Sequence, residues 1–190
     1  MAPNKGSIEF IDDFVASAKE SRAKGSNEAE TRHKLIDTVI HDILSWPKNR
    51  VAVEEYIQPG YADYVLKKAN GNDLLFIEAK RSGFYFKLPK PHKSLETSCF
   101  KSIAQLHTDT NIKKVMTQVR NYCMDSGCEF AAITNGYEWI FFKVFEKGKR
   151  SGAGIFSSGK HQRPKFSLIH FDHRTCLVGG IAHKHSPKGS

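Results

Sequence analysis

Cysteine is scarce and unpatterned in this chain. The four residues, Cys99, Cys123, Cys128 and Cys176, form no Cys-x-x-Cys pair and follow no regular disulfide spacing, which argues against a disulfide scaffold and against a zinc ribbon. His170 and His173 near Cys176, and His183 with His185, lack ligand spacing for a structural zinc. No apolar run approaches the ~20 residues of a membrane span, and the first residues carry no apolar signal segment. A reducing cytoplasm with no membrane association is the expectation. Gly-x-x-x-x-Gly-Lys-Ser/Thr is absent, so any NTPase that works with this chain belongs to another domain or another protein. There is no internal repeat and no low-complexity block. Acidic residues are also in short supply: 20 Asp and Glu stand against 29 Lys and Arg, a net charge of +9. A surplus of that size favours a polyanionic partner, with nucleic acid first.

What is present fits one ordinary core, since 190 residues at 39% apolar leave no room for a second independent domain. Ile8, Ile11, Phe14, Val15 and Ala18 mark one face of an amphipathic helix over residues 8 to 24, ended near Gly25. It is either a lid over the core or a dimerising face. Ser26 or Asn27 caps a second helix that carries Leu35, Ile36, Val39, Ile40, Ile43 and Leu44 and stops before Pro47. Glu28 and Glu30 in its first turn suit the helix dipole. Val51 to Ile57 begins a sheet, and its Glu54 and Glu55 either face a site or line a solvated edge. A third helix runs along Ile112, Val115, Met116, Val119, Tyr122 and Cys123 and ends before Gly127. Cys128 to Thr134 reads as a strand buried on both faces, and Asn135-Gly136 turns the chain into a fifth strand, with Trp139 and Phe141 as core. Phe166 to Phe171 offers one more strand. The Gly-, Ser- and Lys-rich stretch between them reads as a basic loop, and the last residues as a tail.

The stretch from Gly60 to Lys80 carries the chemistry. Ala62 to Leu66 and Leu74 to Lys80 are β-prone runs separated by a turn containing Asn70-Gly71, hence a hairpin. Side chains alternate along a strand, so Glu78 and Lys80 share a face while Ile77 and Ala79 point away. Asp63 from one strand and Glu78 from the next supply oxygen ligands for a hard divalent cation, with a lysine beside them to position or deprotonate water. Past Lys80, the segment Arg81 to Lys93 interleaves aromatics with cations and contains two prolines. It suits stacking and phosphate contact as a loop, and equally a strand over Phe84 to Leu88.

Asp63, followed by Glu78-Ala79-Lys80 at the end of an apolar strand, resembles the PD-(D/E)XK nuclease signature. The surrounding blocks narrow the resemblance to the N-terminal nuclease domain of type I restriction enzyme motor subunits. They are Asn27-Glu28-Ala29-Glu30-Thr31-Arg32, Ala62 to Leu66, Ile77 to Lys80, Gln118 to Tyr122, and Thr134-Asn135-Gly136 followed by Trp139, over roughly residues 27 to 145. One departure is Pro59, four positions before Asp63 instead of directly before it.

The resemblance implies an α/β restriction-endonuclease-like fold, a central mixed β-sheet of five strands flanked by helices. Its domain would cover 26–175, with the helix of residues 1–25 before it and a tail over 176–190. It implies Mg²⁺, with Mn²⁺ able to substitute, held by Asp63, Glu78 and the carbonyl of Ala79, and helped by Glu28, or by Glu30 if the register shifts. Lys80 would activate water and Gln118 would steady the lysine or the phosphate. Arg81, Lys87, Lys90, Lys93 and Tyr122 are the expected nucleic-acid contacts. The implied activity is endonucleolytic cleavage of DNA, most naturally double-stranded, in a restriction or anti-phage defence system with a separate NTPase motor or sensor. Cutting both strands would call for a homodimer. A non-cleaving nucleic-acid-binding module or a regulatory interaction domain of the same fold is the alternative.

Overall fold

The computed structural model describes residues 8–86, 98–99, 103–145 and 167–170. Helix α1 is Ile8–Lys24. Helix α2 starts at Glu28–Thr31, where the Asn27 side chain accepts the Glu30 N–H as its cap, and continues as wider turns over Arg32–Ile36 and Thr38–Ile43. Three strands follow, β1 (Val51–Ile57), β2 (Gly60–Lys67) and β3 (Asp73–Ala79), then a two-residue β4 (Ser98–Cys99). Helices α3 (Ile103–Leu106) and α4 (Thr110–Ser126) lead to β5 (Phe130–Thr134), β6 (Glu138–Lys143) and β7 (Ser167–His170).

The sheet order is β1-β2-β3-β5-β6-β7-β4. Among the described residues only β3 and β5 pair in parallel, and α4 makes the crossover between them. The five expected strands are therefore adjacent in one mixed sheet, and β7 and β4 extend one edge. Arg81 to Phe86 forms no strand.

Two apolar layers cover the sheet. On one face Ile112, Val115, Met116, Val119 and Cys123 of α4 pack on Val65, Phe76, Ala131, Ile133 and Phe142. On the other, Phe14, Val15 and Ala18 of α1 join Leu35, Ile36, Val39 and Ile40 of α2 over Tyr64, Leu66, Ile77, Ala132 and Trp139. Helix α1 is thus a lid, and its apolar stripe is consumed within the chain instead of being free for a second copy. The Arg22 guanidinium fixes its C-terminal end by lying over the rings of Tyr85 and Tyr137, 4.5 and 4.8 Å from their centroids.

Candidate active site

The β2–β3 ladder runs from Lys67↔Asp73 to Tyr64↔Ile77 and goes no further. Beyond it β3 stays paired with β5 as far as Ala79↔Thr134, and Lys80 N–H donates to the Thr134 carbonyl at 2.7 Å. The Ala79 N–H that β2 would otherwise take is donated to Asp63 Oδ2 at 2.8 Å. A side chain has replaced the ladder, so the two strands part at the acid.

The alternation of β2 breaks at the same place. Ala62 and Val65 both pack toward α4, while Tyr64 and Leu66 pack toward α1 and α2. Across from Asp63, Glu54 has φ 53°, and the pairing of β1 with β2 skips these two residues between Val53↔Tyr64 and Glu55↔Ala62. A left-handed conformation costs a non-glycine residue roughly 1–2 kcal/mol, and strain of this kind collects at functional sites.

Glu78 projects from β3 into this fork and is only 3% exposed. Lys80 Nζ lies 2.6 Å from its Oε1, while Oε2 is buried with no hydrogen-bond partner. Burial, and next the nearby Asp63 carboxylate, push the Glu78 pKa up to about 7; Lys80 opposes the rise and Glu28 adds to it. Buried polar oxygens are nearly always satisfied, so an orphaned oxygen among like charges describes a place short of positive charge. Among the described residues no three His, Cys, Asp or Glu side chains converge closely enough to hold a metal alone. The available donors are two carboxylates and the backbone, all hard oxygen, which fits Mg²⁺ or Mn²⁺ and not a thiophilic ion.

Glu28 is exposed in the first turn of α2, and its charge reaches Glu78. Glu30 is instead paired with Lys34 on the helix surface. The position of Glu28 is fixed by its neighbour Thr31, which is fully buried: its hydroxyl accepts the Ser82 N–H at 2.9 Å and donates to the Asn27 carbonyl at 2.8 Å. Ser82 Oγ in turn donates to the Ser21 carbonyl at 3.1 Å.

Gln118 is exposed on α4, where its Nε2 donates to the Tyr122 hydroxyl at 3.4 Å, not to Lys80. Tyr122 is a core residue, 6% exposed, because it continues the apolar stripe of α4. Its ring is not a stacking platform. Its hydroxyl touches Gly60, where a Cβ would lie 2.7 Å away. Arg81 is exposed directly after Lys80. Lys87, Lys90 and Lys93 lie outside the described residues, as do the side chains of the His and Cys residues beyond 167.

Two further groups, given no chemical role by the sequence, stand close by. Arg32 places Nη1 3.0 Å from Glu54 Oε1 and 3.6 Å from Asp63 Oδ1, with its guanidinium 5.3 Å from the centroid of the Tyr64 ring. The second group is Asn135 with Glu138. Asn135 Nδ2 donates to the Phe84 carbonyl at 2.7 Å and to Glu138 Oε2 at 2.9 Å, which anchors the segment after Lys80 to the β5–β6 turn. The Asn-Gly signal marks that turn but not the carboxylate it holds.

A mixed sheet with an Asp on one strand of a hairpin, and Glu-x-Lys closing the next, defines the restriction-endonuclease-like class of α/β folds. The model of the family described as Type I restriction enzyme R protein N terminus matches residues 9–150, and the chain belongs to that family. The match takes in α1 as well as the blocks from residue 27 onward. No curated protein and no solved structure matches the chain closely enough to add to this. Among the described residues no helix is long and apolar enough to cross a membrane.

Proposed function

We propose that the chain is a Mg²⁺-dependent endonuclease that hydrolyses DNA phosphodiester bonds, with Mn²⁺ as a substitute ion. The observation that carries this reading is the state of Glu78: buried, beside Asp63, bonded to Lys80 through one oxygen and to nothing through the other. Asp63, Glu78 and the Ala79 carbonyl are the ligands in this reading, with Glu28 contributing charge from α2. Bound there, the cation supplies Lewis-acid polarisation of the phosphate and a more acidic water.

The chain's own groups do the rest. Ala79 N–H holds Asp63 in place. Glu78 Oε1 holds the Lys80 ammonium, which orients the attacking water and offsets charge building on the phosphorane-like transition state. Arg81, with Lys87, Lys90 and Lys93, meets the phosphate backbone, and the net charge of +9 favours the encounter. The cellular setting that fits the family is the cytoplasm, as the nuclease part of a restriction or anti-phage system whose NTPase motor or sensor lies elsewhere.

The test incubates wild type and Glu78→Gln with supercoiled plasmid at low salt in EDTA, Mg²⁺ or Mn²⁺. Metal-dependent nicking or linearisation by wild type alone is the expected result. Cleavage that survives in Glu78→Gln would remove the assignment.

A further inference from the structure

Asp63 is held by one donor and faced by one cation. Oδ2 takes the Ala79 N–H, and Oδ1 faces Arg32 Nη1 at 3.6 Å, while the same nitrogen bonds Glu54 at 3.0 Å. The arginine side chain is 17% exposed and Asp63 16%, so water screens their interaction poorly; Glu54 is 67% exposed and reaches solvent. The backbone of β1 is irregular at Glu54, directly across from Asp63, and this irregularity accompanies Glu54's contact with α2. A cation fixed on a carboxylate competes with any second cation for it. It needs an alternative partner if it is to yield.

Resting on the metal-site reading above, we infer that Arg32 is a built-in counter-cation of the metal site. It offsets the Asp63 charge across 3.6 Å when no divalent ion is bound, and Glu54, already bonded to the same nitrogen, keeps the guanidinium when one is. Arg32 is a positioning residue here, acting through Asp63 and not on substrate. Its planar guanidinium, directed to two carboxylates and resting on the Tyr64 ring, suits this sharing better than a lysine ammonium would. Tyr64 is itself held in place, its hydroxyl donating to Asp37 Oδ1 at 2.8 Å.

The experiment measures Mn²⁺ affinity by titration calorimetry on the full chain, with melting temperature followed for each variant. Arg32→Met should bind Mn²⁺ about tenfold more tightly, and Glu54→Gln about threefold more weakly, because the guanidinium then has Asp63 alone. In the double variant the loss of Glu54 should have no further effect, since its influence passes through Arg32. A purely structural Arg32 would weaken Mn²⁺ binding when removed, and that result, or independent effects in the double variant, would overturn the inference. Should Arg32→Met fail to fold, Glu54→Gln decides: weaker binding at an unchanged melting temperature supports the role, and unchanged or tighter binding refutes it. Absence of Mn²⁺ binding by wild type would instead remove the metal-site reading, and this inference with it.

Discussion

The two ends of the β2–β3 pair use the same kinds of residue and arrive at different states. At the turn, Lys67 lies between Glu55 and Asp73 at 2.9 and 2.8 Å; Glu55 Oε2 is shut off from water there too, but the lysine stands against it, and all three side chains keep 20–34% of their surface in water. At the fork, Lys80 and Arg32 stand among Glu78, Asp63 and Glu54, yet Glu78 is sealed off with an oxygen left over. Water is the difference. Where solvent reaches an ion cluster, surplus charge costs little and the pairs contribute little. Where it does not, the same surplus becomes a standing demand for a cation. Burial of the carboxylate, more than the number of charges, distinguishes a site from a surface cluster.

The largest effect that would test this contrast is on cleavage. Glu78→Gln should reduce plasmid nicking at least about 1000-fold, as expected when a group acting on the transition state is removed, whereas Lys67→Ala should stay within about twofold. Equal losses at both ends would break the comparison. Stability should show the opposite trend. The Glu78 carboxyl titrates near 4.5 when unfolded and is pushed up to about 7 in the fold, so the folded state binds this proton more tightly. Its stabilising contribution is complete below pH 4.5, declines as pH rises, and is gone above about 7. The difference is on the order of 3 kcal/mol. Urea denaturation in EDTA should therefore find wild type losing stability relative to Glu78→Gln between pH 5 and pH 8, and parallel pH curves would contradict the assigned burial.

Mn²⁺ at a hundredfold excess over its Kd should stabilise wild type by about 2.7 kcal/mol. Asp63→Asn should lose most of that gain in a thermal melt, and Asp73→Asn should keep it. The smallest contrast lies in two glycines. Beyond the fork, at the start of β2, Gly60→Ala drives a methyl into the Tyr122 hydroxyl and should cost about 2 kcal/mol. At the turn, Gly71→Ala meets nothing within 4 Å but keeps φ 84°, for about 1 kcal/mol. Reversal of that order in denaturation midpoints would mean that α4 gives way at Gly60.

Much of this architecture is legible in the sequence because local signals agree with the fold. The apolar stripes of α1 and α4, the Asn70-Gly71 turn, and the apolar run into β5 each specify one element. Glu78 and Lys80 are legible as a pair because strand alternation places them together. The rest depends on contacts between distant segments. Nothing local indicates that Asp63 would take a backbone N–H from β3, or that Glu54 would leave the β1–β2 ladder for Arg32. Tyr122 reads equally as a contact residue or as core until α4 is seated, and the close approach at Gly60 decides it. Asp109 caps α4 by accepting the N–H groups of Asn111 and Ile112, a signal that is present in the sequence but masked by reading the helix from its apolar face alone.

The Thr31–Ser82 hydrogen bond sets the distance across which the acid of α2 acts on the lysine strand. Glu28 lies three residues before Thr31, and Lys80 lies two residues before Ser82, so one neutral bridge sets the gauge between two charged groups that need never touch. Thr31→Val would keep the shape, the burial and every charge, and remove the acceptor for Ser82 N–H together with the donor to the Asn27 carbonyl. The spacing of charge in the site is thus governed from a position that carries none, and a variant there would change how Glu28 bears on Glu78 without altering any residue of the fork.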